Sequence, residues 1–106
     1  MAANRPILEN AVSMTIGSLR VKMIVRHSSS LKDKRRVVKS LKDQVRNKFN
    51  VSVAEVGALN HRQLCVFGVA AVGNNARFVN SCLSKVVDFV RDFHGLELID
   101  YELELF

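Results

Sequence analysis

Six cations recur between residues 31 and 48 at the three- and four-residue spacing that lines one side of a helix: Lys32, Arg35, Arg36, Lys39, Lys42 and Arg46. At 100° per residue they fall within an arc of about 120°, interrupted only by Asp43. Such an array suits a polyanion. Phosphates approaching it release condensed counterions, and arginine takes phosphate oxygens in a bidentate fork. Each close pair of like charges on a helix costs roughly a few tenths of a kcal/mol, so folding alone gives no reason to gather six of them. A solvated helix face, the usual fate of a charge run, competes with a polyanion, and so does an acidic protein surface, including the acidic end of a second copy.

The remaining reactive side chains point to little chemistry. His27, His61 and His94 lie in three different loops or element ends, and no Cys or carboxylate joins them at metal-ligand spacing, so no metal is expected. Ser29-Ser30-Leu31-Lys32 matches S-x-x-K, but the companion motifs of penicillin-recognising enzymes are absent and the chain is too short for their fold. Gly73-Asn74-Asn75 reads as a turn and helix cap rather than a phosphate loop. Cys65 and Cys82 sit in apolar stretches too far apart for a CxxC pair, so reduced, buried thiols are expected. No catalytic residue and no cofactor is expected, and an enzyme is the less favoured class.

The elements that must position the cations follow from composition and period. The 106 residues include 16 Lys and Arg against 10 Asp and Glu, and 48% are apolar, which describes one globular domain rather than a disordered or multi-domain chain. Residues 31 to 48 hold eight cations against two acids, equal to the net charge of +6 for the whole chain. Residues 88 to 106 hold six acids and only Arg91. No signal-peptide core can be drawn in the first residues, and the longest apolar stretch, Leu64 to Val72, is far short of the roughly 20 residues of a membrane span. A cytoplasmic protein without a membrane partner is expected. Residues 1–13 show no clean period and read as a flexible N-terminal extension, with Met14 an alternative start, leaving 14–106 as the domain.

From Thr15 to Arg26 the chain alternates, with Leu19, Val21, Met23 and Val25 opposed to Ser18, Arg20, Lys22 and Arg26, as in a half-buried strand. Ser30, with Asp33 three residues on, marks a helix start. The helix runs to about Lys48, its apolar stripe made of Leu31, Val38, Leu41, Val45 and Phe49. Val51 to Val56 is a second strand, and Gln63 to Val72, apolar on both alternating faces, is a central one. A second helix of about 18 residues follows Asn75, with Phe78, Cys82, Val86, Phe89 and Phe93 at helical spacing and Gly95 as its stop. Leu96 to Phe106 closes the chain as a strand. The order β-α-β-β-α-β predicts an α+β, ferredoxin-like fold: a four-stranded antiparallel sheet with two helices on one face. Its first and last strands are neighbours, placing Arg20, Lys22 and Arg26 across from Asp100, Glu102 and Glu104.

The run Ser30 to Arg36 (Ser-Leu-Lys-Asp-Lys-Arg-Arg), followed by Phe49 to Val56, resembles the YlxP-like family of small bacterial proteins, a domain of unknown function. The resemblance covers roughly Met14 to Phe106, including Gly17, Leu19, Gly68-Val69-Ala70 and Ile99-Asp100. Departures are the serine-rich run before the first helix and the lack of a Trp often found before the third strand. The resemblance implies a ferredoxin-like fold, a bacterial cytoplasmic protein and no catalytic residues. Members are commonly encoded among genes for transcription elongation, translation initiation and ribosome maturation, which implies work on rRNA or the small ribosomal subunit.

The expected function is therefore a non-enzymatic RNA- or ribosome-associated factor, possessing six phosphate-contacting side chains on the first helix. An RNA-recognition motif is disfavoured because the first strand has no aromatic to stack a base, and the third has only Phe67. The acylphosphatase version of this topology is disfavoured because His27 and three serines stand where a Gly-rich, Arg-containing phosphate loop belongs. The alternative is a dimeric interaction module whose uncovered sheet face, burying Phe67 or Cys65, packs on a second copy, with the basic helix meeting an acidic protein surface.

Overall fold

The computed structural model describes residues 12–106; residues 1–11, most of the expected extension, lie outside the described part. Alternation builds the first strand, β1 (Thr15–Val25), with Leu19, Val21, Met23 and Val25 inaccessible and Arg20 and Lys22 outside. The first helix, α1 (Leu31–Lys48), starts where the sequence places it. Ser30 Oγ accepts from Asp33 N at 3.1 Å, while the Asp33 carboxylate accepts from Ser29 Oγ and Ser29 N, bonds that hold its pKa below the usual value. Replacing Ser30 with alanine is expected to destabilise the domain by about 1 kcal/mol, read as a lower urea midpoint at unchanged slope.

The other elements are β2 (Ser52–Gly57), β3 (Leu64–Gly73), α2 (Ala76–Arg91) and β4 (Leu96–Leu105). Asn75 caps α2, its Oδ1 accepting from Phe78 N at 2.7 Å. Gly95, at φ +89°, turns the chain from α2 into β4. The strands pair antiparallel in the order β2-β3-β1-β4, with β3 and β1 central as expected. Both helices cover one face. Val38, Leu41 and Val45 of α1 and Val79, Leu83, Val86, Val87 and Val90 of α2 join the inward residues of the strands in one core. The result is the ferredoxin-like α+β fold.

Packing corrects several expectations. The α2 stripe is rotated by about 80° from the phenylalanine-centred one, so that the Val and Leu side chains meet the sheet. The close approach is made at Gly17, where a Cβ would stand 2.6 Å from Val79 Cγ1 and 2.7 Å from Leu83 Cδ1. Phe89 turns sideways to Phe49 of the α1 end, ring centroids 5.9 Å apart, and Phe78 is 60% exposed. Helix α2 ends at Arg91, shorter than the expected 18 residues. Cys82, expected to be buried, is only half-buried; Cys65 is fully buried, and both are free thiols.

In β4 the pairing jumps from Lys22↔Asp100 to Met23↔Leu98, leaving Ile99 as a bulge. That extra residue lets Leu96 and Leu98 pack on the same side as Leu103 despite opposite parity. It also changes the expected ion pairs. Arg20 meets Glu102, with Glu104 at 3.9 Å, and Lys22 opposes Asp100, but Arg26 reaches Glu97 at 3.8 Å rather than one of the three acids assigned to it.

Candidate nucleic-acid interface

The cationic array sits on the flank of α1 that looks away from α2. On the opposite flank Lys48 Nζ lies over the Phe89 ring, 5.5 Å from its centroid, which fixes how the helix is rolled. Lys32, Arg35, Arg36, Lys39 and Arg46 are exposed and Lys42 is half-buried. They are not equivalent. Lys39 Nζ donates to Asp43 at 2.8 Å, and these contacts keep the Asp43 pKa low. Arg46 approaches the same carboxylate at 4.0 Å and donates through Nη2 to Val53 O of the edge strand β2 at 3.3 Å. Arg46 is thus partly spent on the sheet edge. Lys32, Arg35, Arg36 and Lys42 have no ion-pair partner among the described residues.

The eighth cation in this stretch, Lys34, goes inward. Its side chain is wholly inaccessible; Nζ donates to Ala58 O at 2.7 Å and stands 3.0 Å from Glu55 Oε2. That oxygen is buried and takes no hydrogen bond from any described group, so the ammonium charge alone compensates it. Helical arithmetic carried a signal for this: at 100° per residue Lys34 lies near the middle of the arc occupied by Leu41, Val45 and Val38, about 20° from Leu41 and Val45. Ala58 itself has φ +58°, a left-handed conformation that costs a residue with a Cβ roughly 1 kcal/mol or more. The lysine holds that strained carbonyl. Beside them, burial and then the Glu55 carboxylate push the Cys65 thiol up to about 12, with Lys34 acting in the opposite sense, so the thiol is protonated and inert at neutral pH.

The strained turn leads into a loop stapled to the start of α1. Ser28 Oγ donates to Arg62 O at 2.8 Å, and Gln63 Nε2 donates to Ser28 O at 3.1 Å. His61 Nδ1 accepts from Gln63 N and Leu64 N at 3.1 and 2.8 Å, so its proton resides on Nε2. Ser28, Ser29, Asn60, His61, Arg62 and Gln63 line an open cleft of about 560 Å3. Exposed Arg62, which no sequence spacing tied to the helix, is thereby held beside the residues that lead into α1.

Phe67 and Cys65 lie beneath the helices, both inaccessible, so neither belongs to the uncovered sheet face where the dimer alternative placed them. Among the described residues no group of three or more His, Cys, Asp or Glu could hold a metal ion, and no helix is long and apolar enough to cross a membrane.

Comparison with known proteins agrees with this architecture. The "De novo designed protein Foldit4" superposes with a TM-score of 0.51 at 11% identity, over 89% of this chain and 97% of the design, a likeness of fold alone. The "Uncharacterized protein YlxP" of Bacillus subtilis (strain 168) is 37% identical over 82 residues, spanning 77% of this chain and 89% of that protein. The family described as "Protein of unknown function (DUF503)" matches residues 16–103, from the start of β1 almost to the end of β4. With the family pattern matched from the first strand to the last, the chain belongs to DUF503, the YlxP-like proteins.

Proposed function

We propose that this protein is a non-enzymatic cytoplasmic factor that grips the phosphate backbone of structured RNA, of the kind that makes up the ribosome, through the outer flank of α1. One observation carries the reading: Lys32, Arg35 and Arg36 project together from the first turns of α1 without a carboxylate partner among the described residues, so a phosphate row meets charge that is not already used. Lys42 continues the row, while Lys39 and Arg46 contribute weakly because Asp43 and Val53 O engage them. Arg62 and the polar cleft lie beside the residues that precede the helix. Recognition of this kind follows the shape and charge of a duplex rather than base identity.

Salt titration tests it. With about four free cations engaged, the affinity for a structured RNA should fall with a log–log slope near −4, a loss of roughly a hundredfold between about 50 and 200 mM salt. Affinity that is flat across that range would leave the row without a role.

A further inference from the structure

The sheet face without helices lies on the opposite side of the sheet from α1 and has its own character. Register sets Val72, Ile16 and Phe106 side by side across β3, β1 and the residue after β4, and they are 55%, 43% and 69% exposed. Val56 and Val66 continue the apolar surface along β2 and β3, flanking Gly68, against which Val56 lies so closely that a Cβ there would meet it at 2.9 Å. The other half of the face is charged but internally paired, Arg20 with Glu102 and Lys22 opposite Asp100. A polyanion gains little from a face on which each cation already stands beside an acid. We infer that this face receives a second copy of the same chain, sheet against sheet.

Three features favour that occupant. Strands about 4.8 Å apart, three of ten or eleven residues and β2 of six, give a footprint of roughly 600 Å2 per copy, or about 1,200 Å2 for the pair, at the lower end of the range of specific interfaces. A two-fold axis running across the strands above Gly68 lays each strand on its own equivalent, so that the apolar β2–β3 halves meet and Ile16 and Val72 of one copy stand over Ile24 and Leu64 of the other. Charge also selects this face over the helical one. Sheets about 10 Å apart with a helix layer outside each put the two α1 axes roughly 30 Å apart, several screening lengths at physiological salt, whereas docking through the helices would press the two cationic flanks together.

The test uses the full chain without RNA, so that it stands apart from the phosphate reading. Sedimentation velocity over rising concentration should show twice the chain mass, and Ile16→Glu with Val72→Glu should weaken association by roughly a hundredfold or more, since each carboxylate would be buried without a partner. Ala54→Cys, beside the proposed axis, should crosslink copy to copy with a short bis-maleimide, while Ser81→Cys on α2 should not. A monomer at all concentrations, a dimer indifferent to the glutamates, or crosslinking through Ser81→Cys in place of Ala54→Cys would overturn the inference.

Discussion

Replacing Lys34 with alanine should remove about 3–5 kcal/mol of stability, a large share of what holds a small domain together. Alanine leaves the Glu55 carboxylate buried with no counter-charge, frees the strained Ala58 carbonyl of its donor, and opens a void beneath α1. Lys34→Met separates these contributions, because it fills the space and still strands the carboxylate. The single Met variant should remain strongly destabilised, and Lys34→Met with Glu55→Met should recover most of the loss, since a buried ion pair exchanged for apolar side chains of similar size is often close to neutral. Urea unfolding of the wild type, of Lys34→Met and Glu55→Met alone, and of the double Met variant closes the cycle. A loss under about 1 kcal/mol for Lys34→Ala would mean that the pair contributes no more than a solvated surface bridge does.

Charge reversal on the outer flank acts on binding instead. Arg35→Glu with Arg36→Glu should weaken binding to a structured RNA by about a hundredfold near physiological salt and flatten the salt slope by about 2 or more. Both side chains are exposed and make no ion pair among the described residues, and reversal at Arg36 gives up only its weak attraction for Asp33, so the melting temperature should fall by no more than about a few degrees. Lys39 is a poorer choice for reversal, because Lys39→Glu also breaks the contact with Asp43 and sets two carboxylates four residues apart. Lys85→Glu on α2 makes a charge reversal away from the flank and should change affinity by only a small factor. Equal losses from Lys85→Glu and from the Arg35/Arg36 pair would reduce the attraction to net charge alone.

Much of this architecture was legible because it is local. The capping of α1 by Ser30 with Asp33 at the third position and the span of that helix follow from short spacings, the neighbouring of β1 and β4 follows from the order of the elements, and the structure shows each of them. The departures share a different origin. Phe78 and its helical neighbours outscore the valines of α2 in size, yet the sheet below Gly17 admits only a close-fitting Val and Leu surface, so the aromatics turn toward α1 or stay exposed. Alternation along β4 cannot foretell a bulge at Ile99, because the reason for it lies across the strand pair, in bringing Leu96, Leu98 and Leu103 onto one side.

Sequence by itself determined the two sides of β1, the span of α1, the order of the elements, and the concentration of the net positive charge in a single helix, since period and composition are properties of the chain alone. Tertiary structure alone decided what each of those cations does. Lys34 lies one residue from Arg35, but it has Glu55 and Ala58 O waiting 3.0 and 2.7 Å away in an otherwise apolar layer, and Arg35 has solvent. A charge is buried or free according to what a distant segment places opposite it, and that is set only when the strands come together.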